Sequence, residues 1–411
     1  MLILKNYLII LTFVSSLLKL YAMINFNDTK IAFEYKSTSN LKQSKFLFKA
    51  IASNGMVKTG KALANFALKI NFPIGWAIKP TLYQHFVGGE TLDDCEHTVR
   101  LLNKYNVKSI LDYSVEGSTD RTVMKATLRE TLDSVVHAAK HPNIPFAVFK
   151  PTAFASKELL TRIGDNSDLY EKEKEGKAFF ENSVEELCRT ASENDIPIMI
   201  DAEDSWYQGY LDNLIEKLMI KYNKEKAVVF NTYQMYRTDR LEYIAAQLER
   251  AKEKGFTIGA KFVRGAYMEK ERERAALKDY PSPIQPDKIS TDNNYDAGIK
   301  FAVDNLEHFS IFNGSHNEES NLKLAELMAE KNIAKDDNRI WFSQLYGMSD
   351  HISFNLAKAG YNVTKYIPYG KVKSIVPYLI RRAEENTSVA GQTTRELALI
   401  NAEISRRKKE A

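Results

Sequence analysis

Cysteine is nearly missing from this chain: Cys95 and Cys188 are the only two among 411 residues. They stand far apart, with no CxxC and no Cys/His cluster. That argues against a disulfide framework or a structural zinc site, and it fits a reducing compartment. No sign of charge dominates. The 57 basic and 53 acidic residues are interspersed, and no basic stripe carries interleaved aromatics, so nucleic acid is not an expected partner. Glycine-rich phosphate turns are lacking too: there is no GxGxxG and no Walker sequence, which counts against a doubly wound dinucleotide fold. Long apolar runs are also absent. The N-terminal run from Leu8 to Leu18, set between Lys5 and Lys19, falls short of the ~20 residues a spanning helix needs. Residues 1–22 admit three readings: a signal peptide ending near Ala22, an extension ahead of a true start at Met23, or a membrane-associating amphiphile.

What is present is ordinary globular material, with 44% hydrophobic and 27% charged residues and a mean hydropathy of −0.36. Residues 23–105 read as a helical region. From Ser39 apolar residues recur at three- and four-residue steps, and Thr91 caps an acidic first turn in "GGETLDDCEHTVRLLNKY". The texture then changes. Eight short β-rich runs alternate with charged helical stretches: "SILDYS", "FAVFKPTA", "PIMIDAED", "AVVFNTYQ", "IGAKFVRG", "FSIFNGSHN", "RIWFSQLYG" and "VTKYIPYG". Each gap has room for a helix, which predicts an α/β fold, a (β/α)8 TIM-like barrel over residues 106–400. Residues 401–411 read as a charged tail.

At or just after each run stands a polar residue: Asp112, Lys150, Asp201, Asn231, Lys261, His316, Gln344 and Tyr366. Strand ends of such a barrel converge on one mouth, where active sites lie. "AKFVRGAYMEKERERA" places Lys261 and Arg264 around a strand end, and Gly265 and Ala266 then let backbone approach an anionic ligand. His316 in "GSHNEES" has no second histidine at ligand spacing, so no metal is expected there and cofactor hydrogen bonding is the better reading. The carboxylates of "MIDAEDSWYQ" leave glycoside hydrolysis open as a rival chemistry. Arg381 and Arg382 in "YLIRRAEEN" suit either a solvated helix face or an acidic ligand.

Four blocks together, "KFVRGAYMEKERERA", "SHNEES", "FSQLYGMSDHISFNLAKAGYNVTKYIPYGKV" and "YLIRRAEEN", resemble the proline dehydrogenase family, FAD-dependent (β/α)8 barrels of the single-function type. The resemblance implies that Arg381 and Arg382 grip the carboxylate of L-proline through paired guanidinium forks. It implies that Leu345, Tyr366 and Tyr378 wall the ring, and that Lys150 and Asp201 lie at the substrate's polar side. In the family a serine at the place of Tyr366 goes with hydroxyproline, so Tyr366 favours proline. Lys261 takes the place of the basic residue that contacts the reactive flavin nitrogen, making Asp201 and Lys261 the expected catalytic pair. Arg264, Gly265, Ala266, Ser315 and His316 match phosphate and ribose contacts. Asn231 stands in for the family's flavin-side glutamine, Gln344 falls on the adenine side, and Glu385 holds a flavin hydroxyl or orients an arginine. The implied reaction is hydride transfer from proline to FAD, giving Δ1-pyrroline-5-carboxylate. Electrons then go to a quinone or other membrane acceptor, and a pyrroline-5-carboxylate dehydrogenase is a candidate partner. The expected location is the cytoplasm or the face of the inner membrane, mitochondrial in a eukaryote. The helix carrying the arginines is expected to close the mouth. The rivals are a dehydrogenase of hydroxyproline or another cyclic imino acid, and a barrel that binds acids without turnover.

Overall fold

A computed structural model describes residues 24–70, 78–114, 118–388 and 392–410; the side chains of 54, 65–68, 80, 384–388 and 392 lie outside this description. Residues 1–22, with their three readings, are outside it as well. Ahead of the strands come the short α1 (Thr29–Ala32) and the longer α2 (Thr38–Ile51), α3 (Asn54–Lys69) and α4 (Leu92–Asn103), with a short helical stretch over Lys79–Phe86 between α3 and α4. The Thr91 cap is realised as a full capping box, in which Thr91 Oγ accepts from the Asp94 N–H and the Asp94 carboxylate accepts from that of Thr91.

Eight strands follow: β1 (Val107–Tyr113), β2 (Ala147–Phe149), β3 (Ile198–Ile200), β4 (Val229–Gln234), β5 (Ile258–Val263), β6 (Phe309–Gly314), β7 (Ile340–Leu345) and β8 (Val363–Tyr369). All pairings are parallel, in the order β1-β8-β7-β6-β5-β4-β3-β2. Between β1 and the approach to β2, the Ser109 N–H reaches the Asn143 carbonyl at 2.9 Å. This is the expected (β/α)8 barrel. Parallel strands need long crossovers, and the helices between them supply these: α5 (Arg121–Lys140), α6 (Lys157–Gly164), α7 (Glu171–Glu193), α8 (Ser205–Tyr222), α9 (Arg240–Lys254), α10 (Met268–Lys278), α11 (Lys288–Asp304), α12 (Glu318–Glu330) and α13 (Asp350–Lys358).

Side chains alternate across each strand, so two cores form. The inner one is a floor of Ile110, Phe146, Val148, Met199, Phe230 and Phe312, with Tyr366 above it. The outer core joins the other strand faces to the helix ring. Burial at these scales, at ~25 cal/mol per Å² of apolar surface, is the main source of the barrel's stability.

Two helices complete the chain, α14 (Val372–Ser388) and α15 (Gln392–Glu410). The stretch read from its charge as a tail from 401 is the second half of α15. Leu399, Ile400 and Ile404 pack there against Phe33, Leu41 and Phe48. Glu403, fully buried, takes the guanidinium groups of Arg406 and Arg407 and the hydroxyl of Thr29.

Candidate active site

The strand ends bring five ionisable groups into one hydrogen-bonded cluster. Lys150, just past β2, sets its Nζ 2.6 Å from Asp112 Oδ2 and 3.5 Å from Asp201 Oδ2. Asp201, just past β3, accepts from Lys261 Nζ at 2.6 Å through Oδ1 and from the Tyr366 hydroxyl at 2.9 Å through Oδ2. Lys261 also lies 4.8 Å from the centre of the Tyr366 ring, a cation–π contact. Burial opposes ionisation of Asp201, but Lys261 and Lys150 and the two hydrogen bonds outweigh it and hold the carboxyl below its ordinary value. Burial, with Asp112 and Asp201 nearby, pushes the Tyr366 phenol well above its ordinary value, so it stays a donor. Two ammonium groups and two carboxylates balance here, and a further anion needs other cations.

Those cations stand on α14. Tyr378, Arg381, Arg382 and Glu385 recur at three- and four-residue steps and so share one helix face. Tyr378 is buried and close enough to Tyr366 to act on its phenol. The Arg382 guanidinium lies 5.2 Å from the Tyr378 ring and acts on His316. Leu345, at the end of β7, packs against both the inner floor and the α14 cluster. The Glu385 side chain lies outside the described residues.

On the β5–β6 side, Arg264 is held at every branch: Nε to Asp292 at 2.7 Å, and its two terminal nitrogens to Ser315 at 2.8 Å and Ser320 at 2.9 Å. Gly265 has φ +124°, and a Cβ there would lie 2.5 Å from the Tyr236 ring, so only glycine fits. Ala266 next to it is exposed. His316 Nδ1 is 2.9 Å from Ser349 Oγ. Burial first, then Lys365, Arg382, His351 and Arg264 nearby, lowers its pKa to about 3, so the His316 ring is neutral.

Two predicted site residues do not face the mouth. Asn231 lies in mid-strand, not at the strand's end, and points outward: its amide nitrogen donates to Asp212 on α8 at 2.9 Å. Side-chain alternation along β4 sets the two amides on opposite faces. Phe230, Thr232 and Gln234 take the inner face, and Gln234, not Asn231, ends β4 there. Gln234 donates to the Glu203 carbonyl at 2.8 Å, and its buried Oε1 has no hydrogen-bond partner. Gln344 likewise points outward, donating to the Ser315 carbonyl at 2.9 Å and accepting from Ser353 at 2.7 Å. It braces β7 against the helix ring and lines no adenine site. Asp112, whose buried Oδ1 is also unpartnered, was legible as a strand-end residue yet given no role.

A (β/α)8 barrel with a charge-balanced cluster at its strand ends and an arginine pair on the helix that follows β8 has the layout of an α/β-barrel enzyme whose site lies at the strand ends. A sequence model of the family described as proline dehydrogenase matches residues 95–395, and the chain belongs to that family, oxidoreductases that act on proline. Similar proteins include the carbapenem antibiotics biosynthesis protein CarD of Pectobacterium carotovorum, 32% identical over 78% of this chain and 83% of its own length. The mitochondrial proline dehydrogenase 1 of Dictyostelium discoideum is 29% identical over 92% of this chain and 74% of its own. A hydroxyproline dehydrogenase of Xenopus laevis is 30% identical over 93% and 90%. Among solved structures, proline utilization A (PutA) from Bdellovibrio bacteriovorus, inactivated by N-propargylglycine, shares the fold with a TM-score of 0.68 at 20% identity. That match covers 89% of this chain and 38% of that one.

Proposed function

We propose that this chain oxidises L-proline to Δ1-pyrroline-5-carboxylate with FAD as its cofactor and a membrane quinone as the final electron acceptor. The observation that carries the reading is the meeting of the Lys150–Asp201–Lys261–Tyr366 cluster with the Tyr378–Arg381–Arg382 face of α14. A flavin dinucleotide suits the residues present. The unpartnered Gln234 Oε1 can accept from a ring N–H, and Ala266, exposed at the β5–α10 turn, carries only a methyl group. Arg264, Ser315 and His316 would hold the phosphate and ribose side, and Gln234 and Lys261 the ring. When bound, FAD supplies the two-electron acceptor that takes the hydride from the ring carbon beside the nitrogen.

The protein's share is positioning and charge. Arg381 and Arg382 fix the substrate carboxylate. Leu345, Tyr366 and Tyr378 pack the ring and exclude water. Asp201, kept ionised by its two lysines, is available to the amine as its proton leaves. Lys261 offers fixed positive charge where negative charge develops. The hydroxyproline rival draws support from the Xenopus relative. Against it, the Tyr366 hydroxyl is committed to Asp201 at 2.9 Å, where a substrate hydroxyl would have to compete.

The deciding experiment is an absorbance spectrum of the purified protein. Flavin bands that bleach on anaerobic addition of L-proline are expected; a colourless protein, or a flavin that proline leaves unchanged, overturns the reading. In the same preparation, Arg381→Met is expected to raise proline KM by about 10- to 100-fold, the worth of a charge-assisted hydrogen bond, with flavin retained. kcat/KM for proline above that for trans-4-hydroxyproline is expected of the parent, and a reversed order favours the rival.

A further inference from the structure

Of the three carboxylates in "MIDAEDSWYQ", Asp201 joins the mouth cluster, Asp204 pairs with Lys270 at 2.6 Å, and Glu203 bonds elsewhere. Glu203 is only 2% exposed, and both of its carboxylate oxygens accept from one residue beyond β2. Oε2 takes the Thr152 N–H at 3.0 Å and Oε1 the Thr152 hydroxyl at 2.8 Å. Its main-chain carbonyl accepts from Gln234 Nε2 at 2.8 Å. We infer, on the proline reading above, that Glu203 is a positioning residue: its side chain sets Lys150 on the substrate side, and its carbonyl sets Gln234 on the flavin side.

Lys150 stands where the sheet supports it least. β2 is three residues long, and its ladder to β3 ends at Phe149 and Ile200. On its other side, β1 and β2 are the two ends of the strand order, and no ladder joins them among the described residues. Lys150 itself spans that seam through Asp112. Lysine is a point charge on a flexible stem, so the place of its Nζ depends on how firmly its main chain is held. Past Phe149 the chain enters a single 3-10 turn, Pro151–Ala153, with Lys150 as an N-cap residue that makes no side-chain cap. The donors of that turn can be counted. Pro151 has none, and the Ala153 N–H returns to the Lys150 carbonyl at 3.0 Å. The Thr152 N–H is left over, and Glu203 takes it. Bonds to an ionised acceptor are about twice as strong as neutral ones, so the carboxylate is a firm anchor two residues from Lys150.

On the flavin side the same residue acts through the two-ended chemistry of an amide. A carbonyl only accepts, so the Glu203 oxygen requires the NH2 end of Gln234 and turns Oε1 the other way. That is the buried, unpartnered oxygen offered to a ring N–H. Residues 201–203 thus tie three strand ends together. The Asp201 N–H reaches the Phe149 carbonyl at 3.0 Å, and Glu203 reaches Thr152 beyond β2 and Gln234 at the end of β4.

Glu203→Gln removes the charge and one of the two acceptors and leaves the carbonyl in place. The full-length holoenzyme of this variant should keep its flavin. Its Kd for cyclopentanecarboxylate, read without turnover from the flavin absorbance, should rise about 3- to 10-fold, and proline KM by a similar factor. The pH profile gives a second readout. Burial opposes ionisation of Asp201, while Lys261, Lys150 and the Tyr366 hydroxyl favour it, with Asp112 on the far side of Lys150. A loosened Lys150 should therefore move the acid limb of kcat/KM to higher pH, by about one unit. Glu203→Gln combined with Lys150→Met should cost little more than Lys150→Met alone, whereas independent sites would multiply. Thr152→Val, which removes only the hydroxyl donor, should shift KM and Kd the same way by about 2- to 5-fold, and it decides the matter if Glu203→Gln does not fold. In a flavin-bearing parent that oxidises proline, parental KM, Kd and pH profile in these variants overturn the inference alone. So does a Glu203→Gln loss that multiplies that of Lys150→Met. A parent without flavin or proline oxidation overturns both the inference and the functional reading.

Discussion

At the scale of single residues, two amides three positions apart on one strand mark the limit of what sequence shows. Asn231 and Gln234 sit in the same run, and nothing in its composition says where the strand stops or which face looks inward. The β4–β5 register, Thr232 opposite Lys261, decides it. Asn231→Ala should therefore act on stability, costing about 1–3 kcal/mol by leaving a buried acceptor of Asp212 short of a donor, with turnover per folded molecule kept. Gln234→Leu should do the reverse, with Tm nearly unchanged and proline kcat/KM down about tenfold, roughly one hydrogen bond. Denaturation and steady-state kinetics on both variants separate the two, and equal kinetic losses would undo the assignment. His316 makes a second prediction. Its folded pKa, about 3, lies below the ordinary 6.5, so the unfolded chain takes up the proton first. The stabilisation is complete above pH 6.5 and declines as pH falls toward about 3. Urea unfolding at several pH values should show a shallower acid loss for His316→Gln than for the parent.

At the scale of elements, every β-rich run is a strand, because period-two apolar runs between charged amphipathic helices carry their own signal. What escaped was the pairing of the two ends of the chain. Leu399, Ile400 and Ile404, with Leu397 beside them, give α15 a short apolar seam, and the partners Phe33, Leu41 and Phe48 of those three lie more than 350 positions away. The link is also electrostatic. Asp350, at the start of α13, accepts from Lys36 Nζ at 2.8 Å and Tyr35 Oη at 2.7 Å, and pairs with Lys365 on the outer face of β8 at 2.9 Å. Burial opposes its ionisation, but Lys36 and Lys365 outweigh it and hold the carboxyl far below its ordinary value. Asp350→Asn keeps the shape but strips two buried ammonium groups of their counter-charge. A loss of about 3–5 kcal/mol is expected, read as a lower urea midpoint at pH 7 and a smaller difference from the parent in acid. A midpoint within error of the parent at pH 7 would mean that the N-terminal segment is not held through this contact.

At the scale of the molecule, the interspersed charge of the whole chain hides one lopsided region. Between Tyr35 and Gly89 there are eight lysines and no aspartate or glutamate, so the net +4 of the chain is +8 in this segment and −4 elsewhere. The same segment carries Phe46, Met56, Leu63 and Ile70, each more than half exposed, four of the nine large hydrophobic side chains exposed among the described residues. Behind them a cavity of about 1790 Å³ runs to Val376, Leu379 and Ile380 on the face of α14 turned away from the arginines. No helix among the described residues is long and apolar enough to cross a membrane. Cations interleaved with exposed apolar side chains instead suit a helix pair lying on an anionic bilayer, where each lysine contributes about 1 kcal/mol. Sedimentation with vesicles is the direct measurement: binding to vesicles containing anionic phospholipid is expected, little to neutral ones, with release in high salt as screening shortens to a few ångströms. Changing exposed Lys42, Lys49 and Lys58 to glutamine should weaken that binding roughly a hundredfold. Proline oxidation with a soluble dye should be unchanged in this variant, while oxidation by quinone embedded in the vesicles should fall. Equal binding to neutral and anionic vesicles, or equal quinone activity in parent and variant, would move the membrane face elsewhere on the barrel.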